Sequence, residues 1–271
     1  MDISVIIPSY RPENYILKCI DSLRKQTLCS KKFDVLIILN GDKEPFFSNI
    51  SDYIKALPNF KCVYNPIKGV SAARNLGLNM TNSSKYIVFI DDDDYVSENY
   101  LKLLYQAILE SNVDIVQSNL KADADGFIYD DYISDAFKKN KNRPFNLVSY
   151  RNFFSSVCGK IYRQTIFEEI RFREDITIAE DAIFLFTLSR NVKSFSLTDK
   201  NCIYFRNIRL GSALRSRRST KEVVKNYLKK WGVFSKVYFS KPIKYNFIFF
   251  ITRILAITKV LGKELMASFK K

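Results

Sequence analysis

The chain has 271 residues, 47% of them hydrophobic and 26% charged, enough apolar side chain for one large domain or a domain with an appendage, and not the make-up of a disordered or fibrous protein. Its five cysteines, at 19, 29, 62, 158 and 202, form no C-x-x-C pair and histidine is absent, which argues against a structural zinc site and fits a reduced, cytoplasmic setting. The net charge of +15 is unevenly placed: residues 1–205 hold 26 Lys and Arg against 26 Asp and Glu, while residues 206–271 hold 17 against 2, so a neutral body carries a basic tail suited to an anionic partner.

In chain order, the start lacks the basic opening and long apolar region of a signal peptide and predicts a strand over residues 3–8. Ile16, Leu17, Ile20 and Leu23 share one face of a helix over 14–26. Strands follow at 35–39 and 61–64, separated by a short helix over 50–57, and then a helix over 71–80 and a strand over 86–90. Ser97 is placed to cap a helix over 98–110, and residues 114–117 form another strand. Such alternation argues for a largely parallel sheet with helices on both faces. After residue 118 the rhythm breaks, and the polar stretch 122–143 reads as a loop or flexible excursion until patterning resumes near Tyr150. No internal repeat is present.

Three constellations carry chemistry. Asp91-Asp92-Asp93-Asp94 follows the apolar run of 86–90 directly, so four carboxylates arrive at the C-terminal edge of a buried strand, where open α/β sheets bind ligands. On an extended backbone Asp91 and Asp93 point to one side and Asp92 to the other, a pairing suited to Mg²⁺ or Mn²⁺ carrying a phosphorylated substrate; the plain alternative is a solvated acidic turn. Residues 69–78 place small side chains in a helical frame around Arg74, which either reaches a phosphate or base or pairs with an aspartate of the run. Glu180-Asp181 opens a further apolar helix, where acids either complement the helix dipole or supply a general base.

Together, Ser4-Val5-Ile6-Ile7-Pro8-Ser9-Tyr10, Gly69-Val70-Ser71-Ala72-Ala73-Arg74-Asn75-Leu76-Gly77, Phe89-Ile90-Asp91-Asp92-Asp93-Asp94 and Glu180-Asp181 resemble, in order and spacing over roughly residues 1–210, the signatures of family 2 glycosyltransferases of the bacterial surface-polysaccharide and lipopolysaccharide kind. The resemblance implies an α/β GT-A fold, a Rossmann-like, mostly parallel sheet flanked by helices with a C-terminal helical extension. It divides the matched part into a nucleotide-sugar-binding half (1–118) and an acceptor half with the catalytic base (119–210), beyond which the charge pattern marks a basic amphipathic tail (211–271). It implies that Pro8, Ser9 and Tyr10 contact the nucleotide base, that Arg74 lies near the nucleotide, that Asp91 and Asp92 serve ribose and diphosphate, and that Asp93, with Asp91, holds Mn²⁺ or Mg²⁺. Asp181 then matches the base of an inverting transfer from a nucleotide sugar, UDP-sugar first, to a glycan or lipid-linked acceptor.

One departure falls on Asn40, where the family carries a base-contacting aspartate; an amide still offers one acceptor and two donors. The Gln-x-x-Arg-Trp signature of polymerising members is missing, since the last glutamine is Gln164 and the only tryptophan Trp231, so a single addition is expected. Rival readings are a catalytically silent nucleotide-sugar binder and a nucleic-acid module using the tail. A nucleotidyltransferase lacks its Gly-rich loop, since Pro8-Ser9-Tyr10-Arg11-Pro12 follows the first strand.

In the tail, Ser219 and Glu222 resemble a capping box opening a helix with Val223, Tyr227, Leu228, Trp231 and Phe234 on one face. A second helix is expected over residues 245–269, too interrupted by charge to span a bilayer. The apolar faces either pack on the domain or lie in the headgroup layer of an anionic membrane as a peripheral contact. Arg206, Arg209, Arg215, Arg217 and Arg218 are candidates to clamp a phosphate.

Overall fold

The computed structural model describes residues 1–208 and 220–269. Short apolar runs become strands and the amphipathic stretches between them helices: β1 (Ile3–Ser9), α1 (Tyr15–Arg24), β2 (Phe33–Asn40), α2 (Phe46–Ile54), β3 (Phe60–Asn65), α3 (Val70–Met80) and β4 (Tyr86–Phe89). Every residue of β1 is buried, as expected of a strand covered on both faces. It pairs in parallel with β2 on one side and β4 on the other, and β2 pairs in parallel with β3. The chain therefore steps outward through β2 and β3 and returns through α3 to the opposite side of β1. Right-handed crossovers put α3 on the face opposite α1 and α2. The reversal opens a crevice at the C-terminal ends of β1 and β4, the switch point where ligands bind in such sheets.

Close approach of α3 to β1 explains its small residues. A Cβ added at Gly77 would lie 2.5 Å from the Ile6 Cγ2 methyl, and Ser71, Ala72 and Ala73 are buried on the same helix.

Beyond β4 come β5 (Tyr95–Val96), α4 (Tyr100–Ser111), β6 (Ile115–Gln117), β7 (Asn119–Ala124), β8 (Phe127–Asp130), α5 (Tyr132–Asn140), β9 (Lys160–Arg163), α6 (Glu180–Leu188), β10 (Phe195–Leu197) and β11 (Ile203–Asn207). Helix α4 is not capped by Ser97; Asn99 precedes it, and the Ser97 hydroxyl donates to Asn99 Oδ1 at 3.0 Å. The stretch 122–143 is not a loop. Asp131 caps α5 by accepting the Ile133 and Ser134 N–H groups, Ser134 accepts the Asp131 N–H in return, and Ile133, Ala136 and Phe137 are buried. That reciprocal cap, with Ser in place of Glu, stabilises a helix whose composition looks polar.

A seven-stranded sheet has the order β10-β6-β9-β4-β1-β2-β3, and a second sheet the order β5-β11-β7-β8. In the large sheet β9 is the strand that runs against its neighbours β4 and β6; the rest is parallel, so the mostly parallel α/β expectation is met.

The tail forms α7 (Thr220–Ser240) and α8 (Phe247–Phe269), an antiparallel hairpin in which Tyr227 meets Glu264 and Tyr238 stacks on Phe250. Phe234 and Phe249 pack against Phe186 of α6, so one face lies on the domain as the packed alternative required. Leu228, expected on the shared apolar face, instead stays 54% exposed. Ser219 lies outside the described residues, as do Arg209, Arg215, Arg217 and Arg218. Among the described residues no helix is long and apolar enough to cross a membrane.

Candidate active site

β4 ends at Phe89 and the acidic run does not continue it. The Asp94 N–H donates to the Asp91 carbonyl at 3.1 Å, closing a turn with Asp92 and Asp93 as its central residues. The expected alternation, with Asp91 and Asp93 on one side of an extended backbone, is thereby replaced by a fan in which the carboxylates reach different partners.

Asp92 Oδ2 accepts the Ser9 hydroxyl at 2.6 Å, a bond across the switch point from the end of β1. Asp91 Oδ1 accepts from Arg74 Nη2 at 2.8 Å. Asp94 is buried and accepts the Tyr204 hydroxyl at 2.6 Å and the Asn207 N–H at 2.8 Å. Burial and the charges of Asp91 and Asp93 push its carboxyl well above the usual range. Asp93 is half-buried. Tyr204 works twice, since its hydroxyl also accepts the Asp91 N–H at 3.2 Å.

Arg74 is the hub. It is 3% exposed, and its second nitrogen, Nη1, donates to Asp181 Oδ1 at 2.5 Å, so one guanidinium joins the acidic turn to the first turn of α6. Burial alone would lower its pKa, but Asp181 and Asp91 outweigh it and raise the value, fixing the positive charge. Of the two roles left open by the sequence, pairing with the acidic run is realised. Asp181 also accepts the Val157 N–H on Oδ2 at 3.0 Å, and its side chain keeps 16% exposure.

At the end of β1, Pro8 and Ser9 are buried, and Tyr10 stays 44% exposed with its ring against Gly41. A Cβ at Gly41, where φ is +89°, would meet that ring at 2.5 Å, so the tyrosine sits where only glycine allows. Asn40 is engaged within the chain: its Nδ2 donates to the Ser9 carbonyl at 2.8 Å and its Oδ1 accepts the Gly69 N–H at 3.0 Å. It braces β1 to the start of α3 and is buried. Arg206, a candidate phosphate clamp, is paired with Asp131 at 2.8 Å.

Several residues at the site carried no signal in the sequence. Tyr204, Asn207 and Val157 reach it only through the long-range pairing of the second sheet and the loop before β9. Lys160, 1% exposed, donates to the Ser156 and Cys158 carbonyls, and burial pulls it down to about 7. It shares a small cavity of about 40 Å³ with Asp91, Asp94, Tyr204 and Arg206. A larger cleft of about 520 Å³ lies between α1 and α2, lined by Pro12, Glu13, Phe46 and Tyr53 and not by the acidic run.

Among the described residues no three acidic, thiol or imidazole groups converge to cage a metal. A half-buried carboxylate at the tip of a turn nonetheless suits a hard divalent ion that takes one or two carboxylates and completes its shell with phosphate oxygens and water.

An acidic turn at the switch point of a mostly parallel sheet, faced through an arginine by a carboxylate on a later helix, places the chain in the GT-A class of glycosyltransferase folds. The model "Glycosyl transferase family 2" matches residues 4–171, and the chain belongs to that family. It is similar to Glycosyltransferase GlyA of Streptococcus pneumoniae serotype 4 (strain ATCC BAA-334 / TIGR4), 29% identical over 231 residues that cover 79% of this chain and 31% of GlyA. It is 25% identical over 220 residues to the poly(ribitol-phosphate) beta-N-acetylglucosaminyltransferase TarS of Staphylococcus aureus (strain MW2), covering 80% of this chain and 37% of TarS. The chain thus spans about a third of these relatives. The solved structure of S. aureus TarS 1-349 in complex with UDP-GlcNAc has a TM-score of 0.72 at 23% identity, covering 86% of this chain and 66% of that one. The mannosyltransferase PcManGT from Pyrobaculum calidifontis, solved with GDP-Man and Mn²⁺, has a TM-score of 0.58 at 13% identity, covering 87% and 63%.

Proposed function

We propose that the protein transfers a single sugar from a nucleotide-diphosphate sugar, UDP-sugar first, to a hydroxyl of a glycan or lipid-linked saccharide, with inversion. The observation that carries this reading is the Arg74 bridge, which unites Asp91 at the donor edge with Asp181 at the head of α6. The donor complexes of TarS and PcManGT support it.

In this reading residues 1–118 hold the donor and residues 119–210 the acceptor. Tyr10 stacks on the base and the Ser9–Asp92 pair lies beside the ribose. Asp93 and Asp91 would hold Mn²⁺ or Mg²⁺, which as a Lewis acid offsets the charge growing on the diphosphate. Asp181, oriented by Arg74 and the Val157 N–H, retains lone pairs for an acceptor hydroxyl. It takes the hydroxyl proton as the acceptor oxygen bonds to the anomeric carbon and the carbon–oxygen bond to the diphosphate breaks. Attack opposite the leaving group inverts the centre. The basic tail faces an anionic membrane, where a lipid-linked acceptor would be met.

A panel of UDP- and GDP-sugars, assayed for Mn²⁺-dependent binding and for transfer, tests the assignment. Asp93→Ala is expected to abolish the metal dependence of binding. Asp181→Asn is expected to keep donor affinity while transfer falls about 10²–10⁴-fold, the usual worth of a general base. Wild-type turnover in Asp181→Asn would remove that residue from the mechanism.

A further inference from the structure

The inner seam of the α7–α8 hairpin is occupied. Phe234, Tyr245 and Phe249 lie on Phe186, Phe249 also meets Phe154, and Tyr238 stacks on Phe250. These contacts hold the corner end of the hairpin on the domain, with Tyr245 turned inward, and leave the other side of that corner exposed. At that corner, within ten residues, Phe239, Ile243, Phe247 and Ile248 are exposed, Ile243 completely. Lys236, Lys241 and Lys244 are exposed around them, and no carboxylate occurs between Glu222 and Glu264.

We propose that this corner, rather than a helix face, inserts into the headgroup layer of an anionic lipid bilayer, with Ile243 and Phe247 as the deepest side chains and the lysines on lipid phosphates. The inference rests on the membrane reading of the tail and gives it a location. The partner must supply both an apolar medium and dense negative charge. Nucleic acid supplies the charge but no depth for four protruding apolar side chains, and a second copy of the chain would bring like charges face to face. A lipid surface supplies both, and interfacial insertion suits a tail in which, among the described residues, no helix is long and apolar enough to span.

The test is co-sedimentation of the full chain with phosphatidylcholine vesicles, with and without phosphatidylglycerol. The wild type is expected to pellet with the anionic vesicles only. Ile243→Ser with Phe247→Ser, both at exposed positions, is expected to lower that partition at least about tenfold, since each side chain loses most of an apolar transfer. Lys241→Gln with Lys244→Gln is expected to weaken it and to flatten its dependence on phosphatidylglycerol. Donor hydrolysis by the serine variant, expected at the wild-type rate, verifies the fold. If the serine variant pellets like the wild type while the lysine variant does not, corner insertion is overturned and charge-driven contact of the tail stands. If the wild type binds neither vesicle, both fail. A dimer in sedimentation velocity that the serine variant abolishes would assign the corner to a second copy and overturn the proposal.

Discussion

At Arg74 two carboxylates from distant parts of the chain share one guanidinium that water scarcely reaches. The sequence shows an arginine among small helical residues, which fits a phosphate ligand and an internal brace equally; the choice depends on Asp181, which the chain brings in 107 residues later. Removing one member of a buried charge cluster costs about 3–5 kcal/mol, because the remaining charges lose their partner. Arg74→Gln is therefore expected to lower the unfolding free energy by about 3 kcal/mol, read from urea midpoints, and Arg74→Lys to lose less, one ammonium lacking the fork that meets both carboxylates. A wild-type midpoint for the glutamine variant would show that the bridge braces nothing. Lys160 makes a prediction of a different kind. Burial lowers its pKa from 10.5 to about 7, so between those values the unfolded chain binds a proton that the folded one has released. Stability then rises with pH across that window, with a gradient approaching about 1.4 kcal/mol per unit, and the penalty of the buried charge is fully present below pH 7. In Lys160→Met this gradient should vanish: the unfolding free energy of the variant relative to wild type, measured by denaturation at about pH 6 and about pH 9, is expected to be more favourable at the lower pH. An equal difference at both would show that Lys160 keeps its charge on folding.

Among the elements, β1 to β4 were legible because strands buried on both faces and the helices between them each show their own period. Less legible were elements defined by partners far along the chain. Strand β9 is four residues long and owes its place to antiparallel pairing with β4 and β6 together, and all four residues of β8 are exposed, so no apolar alternation marks it. The acidic run shows the same limit, since a strand followed by four aspartates does not reveal that the last closes a turn on the first. The small residues of 69–78 include Gly77, where α3 meets β1 most closely, and a test follows at this scale. Alanine there gains about 1 kcal/mol of helix propensity, but its Cβ would collide with Ile6 Cγ2, a stiff branched side chain in a fully buried strand. Overpacking of this kind costs about 1–3 kcal/mol, so Gly77→Ala is expected to be net destabilising by about 1 kcal/mol. In a double-mutant cycle with Ile6→Ala, the pair should lose less than the sum of the singles by at least about 0.5 kcal/mol; strict additivity would mean the helix simply shifts away.

For the molecule as a whole, the tail was the part where the sequence left two outcomes open, because an apolar face that packs on a domain and one that meets lipid have the same composition. The structure separates the side chains by burial. Phe234, Tyr238, Phe249 and Phe250 turn inward, while Phe239, Ile243, Phe247 and Ile248 turn outward. The inward set joins the same buried cluster as Phe154 and Phe186, so the hairpin completes the core of the domain rather than hanging from it. Deleting it would uncover Phe186 and confound any binding assay, which is why point changes at the corner are the cleaner probe. A shared core also predicts shared melting. The single tryptophan, Trp231, lies in α7 and reports the hairpin, whereas far-UV circular dichroism reports all the helices and sheets together. If the hairpin and the sheet domain unfold as one cooperative unit, the two signals should give coincident urea transitions, and Phe249→Ala, which empties a fully buried ring site worth about 3–5 kcal/mol, should move both midpoints together. A fluorescence transition that precedes the dichroism, or that alone responds to Phe249→Ala, would make the hairpin a separately unfolding unit and the sheet domain stable without it.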